Sequence, residues 1–244
     1  MTELGRAAES AWNEHLATTT DLAAEVEAFQ DAVVRARLVY GDRSAFTVYR
    51  PRFIDASVLD RLAKETTLVV SALARAEEAI LADPDRLLPH LGSFNEAERA
   101  FLDLPRVLSR GDLHIRMDAA RVGDGFTFFE LNGGVPGGIE FVDASQEVFR
   151  ATPAYRAVAS RHTLSGFDLR TRFVDSVKSV WREFGGEGTP RVGVVDFLDT
   201  AGLIEEFRII GEWLGREEIA SEVVDVRGLE LRDGRLHGAE GPID

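Results

Sequence analysis

The stretch Leu113–Gly138 constrains the fold of this chain more than any other. From Leu113 to Ala119 apolar and polar residues alternate strictly, which is typical of a half-buried strand. The run from Phe126 to Asn132 is rich in aromatic residues, as strands often are. Gly123-Asp124-Gly125 lies between the runs and predicts a three-residue hairpin loop, with Gly125 in the left-handed position. We therefore expect two antiparallel strands here.

The length of this loop decides which residues of the hairpin face each other. A three-residue loop sets Asp118 opposite Glu130 and Arg116 opposite Asn132, all on one face of the sheet. A two-residue loop would instead place Asp118 on the Phe129 side. Because carboxylates directly opposed on neighbouring strands repel each other, the pair needs a bound cation, a shared proton or solvent screening.

The neighbours of this carboxylate pair favour a cation. Asn132 supplies an amide oxygen beside the pair, and carboxylate and amide oxygens are ligands for hard cations such as Mg²⁺. Arg116 adds a guanidinium suited to phosphate or carboxylate. The following residues 133–138, GGVPGG, have little side-chain bulk, so a ligand could approach the backbone closely. An exposed hairpin with a solvated polar face is the alternative.

The spacing of these residues resembles that of the circularly permuted ATP-grasp family, which includes glutathionylspermidine synthetase-like proteins. The matching residues are Arg116-Met117-Asp118, then, after a gap of eleven residues, Glu130-Leu131-Asn132, and finally Pro136-Gly137-Gly138. Further similarity at Tyr49-Arg50-Pro51 and in Val192–Asp244 extends the resemblance over most of the chain. Gly133-Gly134-Val135 departs from the family's usual loop, because it is richer in glycine and less polar.

The resemblance implies a site for magnesium and ATP. It implies that Asp118, Glu130 and Asn132 are metal ligands. It also implies that Arg116, Asn132, Gly137 and Gly138 bind the nucleotide, with Arg116 as the catalytic residue that contacts the transferred phosphoryl group. The implied reaction joins a small-molecule or peptide carboxylate to an amine at the expense of ATP.

Two other functions use the same residues. The chain could be a non-catalytic module that binds metal or an anion without turnover. A retaining glycoside hydrolase also needs two carboxyl groups about 5–5.5 Å apart, which the opposition of Asp118 and Glu130 would permit. Arg116 and Asn132 favour an ionised carboxylate pair. We therefore prefer a metal site to a glycosidase site.

The lysines bear on whether the chain is a complete enzyme. Lys64 and Lys178 are the only lysines, and both lie in predicted amphipathic helices. ATP-grasp enzymes resemble one another in holding the α- and β-phosphates with lysines from a separate subdomain. The resemblance therefore implies that those lysines lie downstream, in a C-terminal half that this chain lacks. We expect the N-terminal part of a ligase, inactive alone.

Composition bounds the partners and the compartment. The chain has 244 residues, a formal net charge of −14 and no cysteine. The negative charge argues against nucleic acid and anionic membranes as partners, and the absence of cysteine excludes disulfides and thiolate metal sites. No apolar run is long enough to span a membrane and the N-terminus does not resemble a signal peptide, so we expect a cytoplasmic protein.

The predicted fold class is α+β, with two segments. Residues 1–185 are expected to place helices around an antiparallel sheet, as half of a permuted ATP-grasp domain. Residues 186–244 are expected to form a partial Rossmann-like β-α-β segment, with the boundary in the turn-rich stretch Gly185–Pro190.

Local patterns predict the individual elements. The predicted helices cover Asp21–Tyr40, Ser57–Leu81, residues 94–102 behind a capping box at Ser93–Glu96, Ile139–Phe149, a helix starting at Pro153, Leu169–Phe184, and a helix capped by Thr200. The predicted strands cover Ala45–Arg50, Val192–Phe197 and Glu222–Val226, followed by a hairpin around Asp233-Gly234. The apolar stripe of the helix at Ser57–Leu81 is expected to pack in the core.

Overall fold

The computed structural model describes residues 2–41, 43–83, 89, 95, 96, 98, 100, 114–122, 125–134 and 137–244. These residues form a mixed α+β fold with small sheets. The helices are α1 (Glu3–Thr18), α2 (Leu22–Arg35), α3 (Ala56–Ala82), α4 (Ile139–Arg150), α5 (Pro153–Ala159), α6 (Leu169–Glu183) and α7 (Ile204–Arg216). The strands are β1 (Val39–Tyr40), β2 (Arg43–Ser44), β3 (Arg116–Val122), β4 (Gly125–Asn132), β5 (Val192–Asp196), β6 (Ser221–Asp225), β7 (Glu230–Arg232), β8 (Arg235–His237) and β9 (Pro242–Ile243).

The chain divides into two compact units. The first contains the described residues of Ile54–Gly111 and Met117–Leu131, and the second contains Thr2–Phe53, Asp112–Arg116 and Asn132–Asp244. Residues on both sides of Gly185–Pro190, where the sequence predicts a domain boundary, lie in the second unit.

The first unit consists mainly of α3 and the hairpin of β3 and β4. Asp55 caps α3, because its carboxylate accepts a hydrogen bond from the Ser57 amide at 2.9 Å. The predicted bounds of this helix are confirmed to within one residue. In its apolar stripe Leu59, Leu62, Val69 and Ile80 are half-buried while Leu73 is 45 % exposed, so its predicted packing in the core stays a prediction.

The second unit has two hydrophobic clusters. The first joins α1, α2, α4 and α5 around Trp12, whose side chain is fully buried, and around Phe29 and Phe149, whose ring centroids are 4.9 Å apart. The second joins α6 and α7 with residues of β5, around Phe173, Trp213 and Leu214. Pro153 begins α5, as the sequence predicts, and the Thr152 side chain caps it.

Strands β5 and β6 form a parallel pair, with α7 between them in sequence and packed against β6. The predicted β-α-β unit is therefore confirmed, although β5 is not fully buried, since Val195 is 42 % exposed. The finer Rossmann-like and ATP-grasp assignments stay predictions.

The chain ends in a hairpin of β7 and β8, with β9 paired to β8. Asp233 and Gly234 connect the hairpin, with φ angles of 51° and 77°. Positive φ at both central residues is the geometry of a type I′ turn, so this prediction is confirmed.

Three predicted local features are wrong. Helix α2 ends at Arg35 rather than at Tyr40, because Arg37 takes a left-handed conformation with φ 60°. No strand forms at residues 45–50, and β2 lies just before them. Thr200 does not cap α7, which begins at Ile204, because the Thr200 hydroxyl donates to the Phe197 carbonyl instead.

Ser93 and Phe94, at the start of the predicted capping box, lie outside the described residues. A reciprocal pair of this kind is present two residues later. The Asn95 amide donates to the Glu98 carboxylate at 2.8 Å, and the Glu98 amide donates to the Asn95 side chain at 2.9 Å. None of the described helices is long and apolar enough to cross a membrane.

Candidate functional site

The predicted site begins on β3 and β4, which are hydrogen-bonded to each other. Arg116 opens β3 and Asp118 follows two positions later, while Glu130 and Asn132 lie at the end of β4. Residues two apart on a strand point to the same face, so each strand presents one pair of predicted ligands together. The described strands are separated by two residues only, a connection too short for anything but an antiparallel pair.

The register across the hairpin decides whether Asp118 meets Glu130. Gly125, which the sequence places in the loop in a left-handed conformation, already belongs to β4, and its φ is not positive, so this prediction is wrong. The pairing beside the loop depends on residues 123 and 124, which lie outside the described part of the chain. The predicted opposition of Asp118 and Glu130 therefore stays a prediction.

The exposure of the hairpin residues bears on this register. The half-buried residues of β3 include Met117, Ala119 and Arg121, and those of β4 include Phe126, Phe128 and Asn132. A two-stranded sheet covered on one side brings such residues to that side, and this grouping matches a two-residue loop. Asp118 would then lie on the Phe129 side. Asp118 is half-buried and Glu130 is exposed.

The unit boundary runs through the set of predicted site residues. Asp118 and Glu130 belong to the first unit. The residues of the second unit are Arg116, Asn132, Gly137 and Gly138. Within the second unit, the Arg116 guanidinium donates to the carbonyl oxygen of Gly137 at 3.0 Å. The structure thus brings together the start of β3 and the glycine-rich turn that follows β4, by which we mean the described residues Gly133, Gly134, Gly137 and Gly138.

Gly138 is the N-cap of α4 and has a φ of 102°, which favours glycine. Exposed amides at a helix N-terminus bind anions such as phosphate. Here the amides of Gly138 and Ile139 donate to Glu206 Oε1 at 2.6 Å and 3.1 Å. A carboxylate from α7 therefore already occupies the anion position at this helix end.

Gly137 is also close to α7. A Cβ atom at this position would overlap the side chain of Leu203 and would lie 2.8 Å from Glu206 Oε2. The absence of a side chain at Gly137 thus serves packing against the start of α7. The close approach to the backbone that the sequence predicts for a ligand is made here by these two side chains.

Glu206 shares its environment with a second buried carboxyl group, Glu140 of α4. Glu140 is 0 % exposed and Glu206 is 2 % exposed. Burial, together with a hydrogen bond to Glu206 and the charge of that residue, raises the pKa of Glu140 to about 9. Glu140 is therefore protonated at neutral pH.

The shared proton explains the hydrogen bonding of this pair. Both carboxyl oxygens of Glu140 and Oε2 of Glu206 are buried and receive no hydrogen bond from a donor group in the described structure. A proton on Glu140 that is shared with Glu206 satisfies this otherwise costly arrangement. The only signal in the sequence is a glutamate inside the apolar stripe of each helix, and sequence reasoning missed both residues.

A cavity of about 570 Å³ lies beside the glycine-rich turn. Gly134, Gly137 and Glu206 contribute to its wall, as do Asp196 at the end of β5 and His114 just before β3. The ring of His114 contacts that of Phe173 edge-on, with centroids 5.8 Å apart. The two carboxyl groups in the wall make this cavity a poor site for an unaccompanied anion.

The described residues contain no group of three or more histidine, cysteine or acidic side chains that could hold a metal ion. The predicted ligands include only two acidic side chains, since the third is an amide, so they would not count as such a group. Their oxygen chemistry fits Mg²⁺. Asn132 Nδ2 is buried without a hydrogen-bond partner in the described structure, so the donor end of this amide makes no hydrogen bond there.

The two lysines lie in different units of the chain. The Lys178 ammonium, on α6, lies 3.0 Å from a carboxylate oxygen of Glu217. Lys64 lies on the exposed surface of α3, in the first unit.

A charged cluster occupies the carboxyl ends of β5 and β6, where open α/β sheets often bind ligands. Asp225 accepts hydrogen bonds from the Arg227 side chain and from the Leu198 amide. The hydrogen bonds from Arg227 hold the pKa of Asp225 well below its usual range. Because Arg227 also contacts Asp199 at 2.9 Å, the cluster pairs its charges internally.

Comparison with known proteins gives no family model that matches this chain and no matching curated protein.

Proposed function

We propose that this chain supplies the magnesium- and phosphate-binding part of an ATP-dependent carboxylate–amine ligase of the circularly permuted ATP-grasp type. The observation that carries the proposal is that two hydrogen-bonded strands bear Arg116, Asp118, Glu130 and Asn132 as two alternating pairs. The oxygen atoms of the last three residues suit Mg²⁺, and the guanidinium suits a phosphoryl group or a carboxylate.

In this proposal Asp118, Glu130 and Asn132 hold the metal ion. Bound magnesium would neutralise charge on the nucleotide phosphates. Arg116 supplies the fixed positive charge at the transferred group, and its hydrogen bond to the Gly137 carbonyl orients the guanidinium at the glycine-rich turn. The other substrates are a carboxylate and an amine.

Thermal melting tests the metal site. Mg²⁺ together with a non-hydrolysable ATP analogue should raise the Tm of the wild type. At a ligand concentration 100 times the Kd, the free energy of unfolding should increase by about 2.7 kcal/mol. Asp118→Asn and Glu130→Gln should abolish the rise, and Asn132→Ala should weaken it, because a neutral amide contributes less than a carboxylate. Asp60→Asn, an exposed change on α3, is the matched control and should keep the full rise.

Two results would overturn the proposal. A folded wild type that shows no rise with Mg²⁺ and the analogue does not hold them. An equal rise in the wild type and in both carboxylate variants would place the ligand elsewhere. If Glu130→Gln abolishes the rise while Asp118→Asn keeps it, the two carboxylates do not act as a pair, which is the result expected of a two-residue loop.

One observation favours the non-catalytic alternative. The Glu206 carboxylate accepts hydrogen bonds from the amides of Gly138 and Ile139, so these groups serve the fold rather than a phosphate. A non-catalytic module that binds metal or an anion would show the same rise in Tm, because binding alone stabilises the folded chain. Magnesium-dependent turnover of ATP separates the two functions, measured on this chain and on a longer chain that carries the phosphate-binding lysines of the family.

A further inference from the structure

A second cavity, of about 490 Å³, lies in the second unit away from the glycine-rich turn. It opens between the segment of residues 45–53, which connects β2 to α3, and the helix α4. Residues 164 and 165, after α5, close its remaining side. Its volume is within the range of pockets that hold small organic molecules.

The floor of this cavity is apolar. It is formed by side chains that belong to the first hydrophobic cluster or pack against it, namely Phe46, Phe53, Phe141, Phe149, Tyr155 and Leu164. Phe149 is 7 % exposed, and the rings of Phe46 and Phe141 meet edge-on with centroids 6.3 Å apart. Such a floor fits the hydrocarbon part of a ligand.

The wall of the cavity carries three arginines, Arg50, Arg52 and Arg150. All three are exposed, and the described structure gives none of them a carboxylate within ion-pair distance. No aspartate or glutamate is found among the described residues that line the cavity. The cavity therefore joins an apolar floor to a positive wall.

The chain as a whole is acidic. Acidic residues outnumber lysine and arginine by 42 to 28. Some arginines elsewhere pair with them, as Arg37 does with Glu212 at 2.7 Å and Arg191 with Glu240 at 3.0 Å. Three arginines at one apolar cavity, without acidic neighbours in the described wall, leave positive charge to be matched by a ligand.

We propose that this cavity binds an organic carboxylate with an aliphatic body. The hydrocarbon chain covers the phenylalanine floor, and the carboxylate accepts hydrogen bonds from the arginine side chains, whose planar forks fit its two oxygens. A phosphate ester would meet the same three arginines, so the experiment below compares the two anions directly. The inference is independent of the proposed ligase function, since it requires neither magnesium nor nucleotide.

Isothermal titration of the whole chain with decanoate, without magnesium or nucleotide, tests the inference. Decanoate should bind at one site. Decanol has the same chain without the charge and should bind at least about 10-fold more weakly, because charge-assisted hydrogen bonds are lost. Acetate has the charge without the chain and should show no binding, since it buries almost no apolar surface.

Variants place the ligand. Arg150→Gln and Arg50→Gln should each weaken decanoate binding by about 3- to 10-fold, a moderate loss because the side chains are exposed. Arg75→Gln, an exposed change on α3, is the matched control and should bind like the wild type. Both cavity variants change exposed side chains, and unchanged melting curves would confirm that they fold.

Several results would overturn the inference. One is that the folded wild type does not bind decanoate, and another is that decanol binds as tightly as decanoate. A third is that Arg150→Gln and Arg75→Gln lose the same decanoate affinity. Tighter binding of decyl phosphate than of decanoate would overturn the assignment to a carboxylate.

Discussion

Glu140 is the residue whose chemistry departs most from what its side chain does in water. Its carboxyl group is fully buried at the second position of α4, beside the carboxylate that holds the N-terminus of the same helix. Two ionised carboxylates in that place would repel each other with little solvent to screen them. The amides at the helix end therefore donate to Glu206, while Glu140 beside it is protonated.

The protonation of Glu140 makes stability depend on pH. Its pKa is about 9 in the folded protein against an ordinary value of 4.5. Between those values the folded protein keeps a proton that the unfolded chain has lost, so the contribution to the free energy of unfolding falls as pH rises. It is fully present below the ordinary pKa and is lost by the pH at which folded Glu140 ionises.

The variant Glu140→Gln tests this dependence. Its neutral amide can donate to Glu206 at any pH, so we expect the variant's Tm to fall less than that of the wild type as pH rises through the window. Near the upper end the variant should be more stable by about 1–3 kcal/mol, the usual cost of a buried polar group without its partner.

The control for this prediction is Glu147→Gln on the exposed side of the same helix, which should keep the slope of the wild type. Parallel melting curves for Glu140→Gln and the wild type across the window would show that Glu140 is not the proton carrier.

At the same scale, the sequence predicts site residues by type and spacing but not by their partners. Arg116, Asp118, Glu130 and Asn132 lie on strands as predicted, because alternation is a local property. That Glu206 lies within hydrogen-bonding distance of Gly138 depends on two helices separated by more than 50 residues. No local pattern contains that contact.

Among the elements, those controlled by near neighbours were predicted best. The turn at Asp233-Gly234, the start of α5 at Pro153 and the end of α6 before Gly185 each follow from the backbone preferences of one or two residues. The predicted end of α2 is wrong, because the left-handed residue that follows the helix is Arg37, whereas such positions are usually marked by a glycine in the sequence. The apolar stripe of α3 predicts the helix correctly, but a local pattern does not identify the residues that cover the stripe.

The β7–β8 turn gives an element-scale prediction. Gly234 has a φ of 77°, so Gly234→Ala forces an alanine into the left-handed region and should lower stability by about 1–2 kcal/mol. Gly228→Ala is the matched control, since its new Cβ would lie 3.9 Å from Val224, an ordinary contact, and its φ is not left-handed. Urea denaturation of both variants measures the difference, and equal midpoints would show that the turn is not of type I′.

For the whole molecule, the sequence predicts a division along the chain, whereas the two compact units interleave. The first unit takes two separate segments, and the chain returns to the second unit between them and after them. A shift in composition, such as that at Gly185–Pro190, marks a change in local structure and does not show which segments pack together. Helices α4, α6 and α7 pack on one another across this stretch.

The lysines lead to a prediction for the whole molecule, which rests on the proposed function. The ATP-grasp resemblance implies lysines that hold the α- and β-phosphates, and here Lys178 is engaged with Glu217 while Lys64 is exposed on α3. We expect the purified chain to bind Mg²⁺ and nucleotide without hydrolysing ATP, because positioning and charge neutralisation supply nearly all of the catalysis of phosphoryl transfer. Release of ADP, measured with Mg²⁺ and ATP, should not exceed that in buffer, and Lys64→Gln and Lys178→Gln should leave it unchanged. If the wild type hydrolyses ATP and Lys64→Gln does not, Lys64 is a phosphate ligand. The prediction that this chain lacks such a lysine would then be wrong.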